Sequence, residues 1–165
     1  MEKLFTPWRF AYIKGHIQTG PKIHGCPFCE LPALNEDEKA LILYRSKHSF
    51  VIMNRYPYTN GHLMVLPYEH EGDLTKLGDE ILIDIHKVLI KTEKILFDFY
   101  KCHGMNIGRN AGKAAGAGIP GHAHYHLVPR WEGDTNFIST IGDLRLIPED
   151  LTDTYQKLRP LFDKN

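Results

Sequence analysis

The chain has little of what would tie it to a membrane, a nucleic acid or a disulfide framework. No apolar run approaches the ~18 residues needed to cross a bilayer, so no spanning helix is expected. No charge surplus exists either: 20 Lys and Arg stand against 20 Asp and Glu. A general nucleic-acid binder normally carries a basic excess, and that class is set aside. A local basic pocket for a small anion remains compatible with the balance. The opening MEKLFTPWRF lacks the pattern of charge, apolar stretch and small-residue cleavage site that marks a secretory signal. A cytoplasmic protein is therefore expected, and its three cysteines should stay reduced. Repeats, linkers and low-complexity tracts are missing from the 165 residues, the scale of one compact domain.

What is present is an α+β pattern. Residues 1–25 are broken by Pro7, Gly15, Gly20, Pro21 and Gly25 and read as an irregular arm, anchored by Trp8, Phe10, Tyr12 and Ile13. Strands are expected at Leu41–Arg45, Phe50–Asn54 and His62–Leu66, the last two joined as an antiparallel hairpin around the turn residues 57–61. Leu77–Tyr100 carries Ile81, Ile85, Val88, Leu89, Thr92, Ile95, Leu96 and Tyr100 at helical steps. Short strands follow at Met105–Ile107 and Ala123–Pro129, and a helix at Pro148–Phe162 with Leu151, Tyr155, Leu158 and Phe162 on one face. These elements predict an antiparallel sheet packed on one long helix, with a terminal helix in the extension 138–165.

Ten histidines are the compositional oddity. His122, His124 and His126 alternate with Ala123 and Tyr125, so a strand would aim all three to one face in steps of roughly 6.6–6.8 Å. Such a row suits metal ligation by neutral imidazole. It equally suits nucleophilic and acid–base work, because imidazole titrates near neutrality and can attack phosphorus. Isolated histidines are more often surface or packing residues, but three in line after a glycine-rich loop are not. Gly112, Gly116, Gly118 and Gly121 can turn backbone N–H groups toward an oxyanion. Arg130, Lys113, Trp8 and Trp131 are weaker candidates for ligand contact. Bland roles are favoured for His86, His103 and Cys102.

GAGIPGHAHYHLVPRW (116–131) resembles the motif of the histidine triad superfamily of nucleotide hydrolases and transferases. FVIMNRYPYTNGHLMVLPYEH (50–70) is similar to that superfamily's nucleoside-holding hairpin. WEGDTNF (131–137) and IPEDLTDTYQKL (147–158) resemble the fragile-histidine-like branch, which contains diadenosine polyphosphate hydrolases and phosphorylases. The resemblance implies a histidine-triad fold in which His124 attacks the α-phosphorus of a nucleotide. A nucleotidyl-histidine forms and passes to water or phosphate. It implies phosphate contacts from His126, a supporting His62, Asn54 beside the ribose or base, and Asn110 near bridging oxygens. Backbone groups around Gly116, Gly118 and Ile119 would border the phosphates. Asn110 stands where fragile-histidine-type hydrolases carry Gln. Other readings are a phosphoramidate hydrolase, a nucleotidyltransferase, or a non-catalytic nucleotide-binding regulator.

Cys26-Pro-Phe-Cys29 is a metal knuckle, a redox pair or a buried pair on its own terms. Tetrahedral zinc needs two further ligands. Bacterial and transferase members of the superfamily use a histidine after a Pro-x-x-His strand exit and the first triad histidine. The resemblance thus implies a structural zinc on Cys26, Cys29, His70 and His122, with His24 and His48 in reserve. It also implies an adenine nucleotide or dinucleoside polyphosphate as ligand, and a homodimer built on the long helix and a strand.

Overall fold

The computed structural model describes Pro21, residues 23–135 and residues 149–164. The anchoring role expected of Trp8, Phe10, Tyr12 and Ile13, and the helix start at Pro148, lie outside them. Five strands form one antiparallel sheet: β1 (Ile42–Arg45), β2 (Ser49–Met53), β3 (Leu63–Pro67), β4 (Gly104–Gly108) and β5 (Tyr125–Arg130). Their spatial order is β1-β2-β3-β5-β4. Helices α1 (Pro27–Ala33) and α2 (Asp37–Ala40) precede the sheet, α3 (Asp79–Tyr100) links β3 to β4, and α4 (Leu151–Leu158) follows.

Both faces of the central strands are buried, and this decides where the site can lie. Leu43, Val51, Met53, Leu63, Val65 and Leu127 meet Ile85, Val88, Leu89 and Leu96 of α3, together with Tyr155, Leu158 and Phe162. The expected helix periodicity is thereby met on the predicted face. Ile42, Phe50, Ile52, Met64 and Leu66 point the other way, onto Phe28, Leu31 and Ala40. This second layer was not foreseen. The sequence pattern assigns no element to this segment; Pro27 sits in the first turn of α1, where a missing N–H costs nothing.

The helix α3 begins at Asp79 rather than Leu77, because Leu77 closes a preceding 3₁₀ turn and Gly78 caps the helix. Asp150 caps α4 by accepting from the Thr152 N–H at 2.7 Å. β5 begins at Tyr125, so His122 and His124 precede the strand instead of lying on it as expected. Within it, Leu127 joins the α3 side, whereas His126 pairs with Met64 and shares its face. The triad therefore opens away from the long helix. Among the described residues no helix is long and apolar enough to cross a membrane.

Candidate active site and metal centre

The approach to β5 is held by the segment after β3. The Ala123 N–H donates to the Glu71 carbonyl at 2.7 Å, and the His122 N–H to that of Ile119 at 3.3 Å. Arg109 Nη1 donates to the Gly72 carbonyl at 2.9 Å. A β-carbon at Gly72 would sit 2.2 Å from the Pro120 carbonyl oxygen, so only glycine lets the two segments touch. Gly121 is less tightly held, since a β-carbon there would lie 3.3 Å from His70 Nε2 and need that ring to give slightly.

Each triad imidazole is fixed in one tautomer by a partner that can play only one role. Carbonyl oxygens only accept. His122 Nε2 therefore carries the proton it shares with the Pro67 carbonyl at 2.9 Å, and Nδ1 keeps its lone pair. His124 Nδ1 donates to the His122 carbonyl at 2.8 Å, which leaves the lone pair on Nε2. His62 Nδ1 accepts the Tyr58 backbone N–H at 3.1 Å, so its proton is on Nε2. That proton goes to His126 Nδ1 at 2.9 Å, and the remaining His126 proton must be on Nε2. With both rings neutral, the outcome is a free Nε2 lone pair on His124 beside an Nε2 donor on His126, their rings 5.1 Å apart.

Burial reinforces the neutral forms. It holds the His126 ring down at about 4, with the neighbouring His124 adding to the effect. His62 is 2% exposed and stacks against Tyr58 at 4.5 Å. Asn54 lies along His62: its Nδ2 is 3.4 Å from Nε2 and its Oδ1 accepts the Tyr56 N–H. Asn110 and Gly116 come together in the β4–β5 loop, where a Gly116 β-carbon would be 3.8 Å from Asn110 Nδ2. Gly116 needs its freedom, with φ at +87°. Gly118 is open, and the Ile119 side chain packs on the α1 layer.

The second constellation is Cys26, Cys29, His70 and His122, whose ligand atoms all lie within 4.8 Å of one another. His122 Nδ1 is 3.5 and 3.6 Å from the two sulfurs, and His70 Nδ1 is 3.3 Å from Cys29 Sγ. Tetrahedral zinc with bonds of about 2.3 Å to sulfur and 2.0–2.1 Å to nitrogen implies an edge of roughly 3.5 Å. The group thus has the right donors at the right spacing for a metal. Burial, then the neighbouring Cys26 thiol, pushes the Cys29 thiol up to about 11. A bound cation would reverse that preference. The reserve ligands are elsewhere: the His48 ring faces Glu80 at 3.4 Å, and His24 is not in the group.

The weaker candidates resolve as follows. Arg130 is forked onto Asp134 at 2.5 and 2.8 Å and reaches Asn106, while its side chain stays 42% exposed. Trp131 meets Tyr100 edge-on at 6.0 Å. Lys113 is exposed, and Cys102 is buried apart from the other cysteines. The residue that the sequence reading missed is Phe28, whose ring lies against both His122 and His124. Its signal was its place inside the Cys-x-x-Cys.

Comparison with known proteins gives a consistent picture. The HIT domain family matches residues 35–133. An AP-4-A phosphorylase of Mycobacterium tuberculosis is 36% identical over 162 residues, covering 96% of this chain and 83% of that protein. An asymmetrical bis(5'-nucleosyl)-tetraphosphatase of Schizosaccharomyces pombe is 30% identical, covering 56% of this chain and 50% of that protein. Among solved structures, a zinc-bound histidine triad family protein from Mycobacterium smegmatis superimposes with a TM-score of 0.68 at 27% identity, covering 85% of this chain and 94% of that one.

Proposed function

The chain belongs to the HIT domain family, and from that premise we propose that it is an enzyme cleaving dinucleoside polyphosphates at an α-phosphate, as a phosphorylase or hydrolase. The observation that carries the reading is the tautomer pattern. His124 presents an unprotonated Nε2, and His126 presents a protonated one beside it. His124 Nε2 attacks the α-phosphorus, forming a P–N bond as the bridging P–O bond breaks. The departing nucleotide keeps that electron pair. An oxygen of phosphate or water then attacks the same phosphorus, and the P–N pair returns to Nε2, which takes up the proton that water loses in the hydrolytic case. His126 Nε2–H donates to a phosphate oxygen throughout, where charge develops. An imidazole attacking through its own lone pair requires no separate base for the first step. Asn110 and the backbone about Gly116, Gly118 and Ile119 are proposed to border the phosphates. Asn54 is proposed to face the nucleoside from beside His62. Likeness to the AP-4-A phosphorylase over 96% of the chain supports phosphate as the acceptor.

A structural zinc is proposed on Cys26, Cys29, His70 and His122, where four protein ligands would leave no open position for substrate. A homodimer is proposed through α3 and β4: Ile83 and Ile90 of α3 are 54% and 56% exposed, and β4 is an edge strand of the sheet.

The test is to incubate purified protein with diadenosine tetraphosphate, with and without inorganic phosphate. ADP plus ATP appearing only with phosphate marks a phosphorylase, and AMP plus ATP marks a hydrolase. Turnover of an adenosine phosphoramidate alone would displace this reading in favour of a phosphoramidase. His124→Ala should cost about three orders of magnitude in kcat or more. The catalytic claim is falsified if that variant keeps near-wild-type rates. Metal analysis should find about one zinc per chain, and a metal-free preparation that is fully active and stable would remove the zinc proposal.

A further inference from the structure

The knuckle and the nucleophile are joined by Phe28. The Cys29 and Glu30 N–H groups both donate to the Cys26 carbonyl at 3.0 Å, so the turn that presents both sulfurs also fixes the first turn of α1. Phe28 is the second residue of that helix and only 7% exposed. Its ring centroid is 5.5 Å from His122, edge-on at 76°, and 5.2 Å from His124, tilted at 48°. Both separations fall in the range of favourable aromatic pairs.

The His124 ring consequently has two supports besides His126, and both lead to the Cys/His group. One is the hydrogen bond from Nδ1 to the carbonyl of His122, itself a member of that group. The other is the Phe28 face, carried between Cys26 and Cys29. The hydrogen bond selects the tautomer but leaves the ring able to swing about it. The tilted Phe28 ring at 5.2 Å and the edge-on His126 ring at 5.1 Å both restrict that swing.

We propose that Phe28 is a positioning residue that transmits the order of the Cys26–Cys29–His70–His122 centre to the nucleophile His124. His122 and the knuckle, once drawn together on a metal, would hold the carbonyl and the ring on which His124 leans. The centre then acts on chemistry without touching substrate. Its loss should lower kcat far more than it raises KM, because the nucleotide's own contacts are elsewhere. This inference rests on the reading of His124 as nucleophile.

The experiment uses the zinc-loaded full chain and two variants, Phe28→Leu and Phe28→Tyr. Phe28→Leu keeps an apolar side chain but removes the flat ring, and Phe28→Tyr restores it. With about one metal per chain retained, Phe28→Leu should lose about tenfold to a hundredfold in kcat, with KM changed less than about threefold. Phe28→Tyr should recover most of that loss. A second readout needs no turnover: ¹⁵N–¹H correlation of the imidazoles should show His124 as a single Nδ1–H tautomer in wild type. Mixed or broadened signals are expected in Phe28→Leu and in chelated wild type. A kcat within twofold of wild type for metal-loaded Phe28→Leu overturns the proposal, as does a His124 signal unchanged by both the substitution and chelation. If wild type turns over no dinucleotide while the imidazole signals respond as stated, the functional reading fails and the coupling stands.

Discussion

A neutral His126 is required by its partner, because Nδ1 can accept from His62 only while unprotonated. Burial holds its folded pKa near 4, against an ordinary 6.5, and the nearby His124 adds to the shift. The sign follows from linkage. Above about 6.5 the ring is neutral folded and unfolded, so it contributes no pH dependence. As pH falls from there toward 4, the unfolded chain takes the proton and the folded one does not, so stability drops across that window and levels below it. Thermal midpoints measured from pH 7.5 to 4 should fall more steeply in wild type than in His126→Gln. Equal slopes would place the titrating group elsewhere.

Elements fix the site by what they bury. Tyr155 and Leu158 of α4, with Phe162 just beyond a 3₁₀ turn that ends the expected helix early, seal the α3 side of the sheet, and Leu158 and Phe162 are almost wholly enclosed. Leu158→Ala should cost about 2–5 kcal/mol through lost burial and a cavity, measured by denaturant unfolding. A loss below about 0.5 kcal/mol would mean that α4 contributes little to the fold. The same helix is pinned at its start by Glu149, which accepts from Thr154 Oγ1 at 2.8 Å and pairs with Lys157. The extent of α3 was visible in its periodicity, because one face meets a continuous core. Its first residue was not, because a 3₁₀ turn ending at Leu77 imitates another helical step. The α1 segment was hidden by its prolines and by length: seven residues are too few for a period to show.

At the scale of the molecule, the two faces of the sheet have separate duties. The α3 side is a closed apolar core, and the α1 side carries the triad and the cysteine pair. The dimer proposal belongs here, since β4 ends the sheet and the isoleucines of α3 stay exposed. Ile83→Glu combined with Ile90→Glu should convert a dimer to a monomer in sedimentation analysis. A wild-type monomer at micromolar concentration would exclude the interface.

The sequence by itself determined the family and the candidate residue set. Alternating histidines after glycines, a Cys-x-x-Cys and an exiting Pro-x-x-His are local patterns, and local patterns survive in a string of letters. It also set the helix and hairpin, whose periods are one-dimensional. Only the tertiary structure decided which atom of each histidine does what. That depended on the Pro67 carbonyl, the Tyr58 N–H and the His122 carbonyl, groups that every residue carries and that no side-chain pattern announces. It also decided that His122 and His124 lie before the strand, that Arg130 pairs with Asp134, and that Phe28 touches His124. The physical reason is the same in each case: identity is local, whereas the partner that fixes a proton or a ring is brought in by packing from far along the chain.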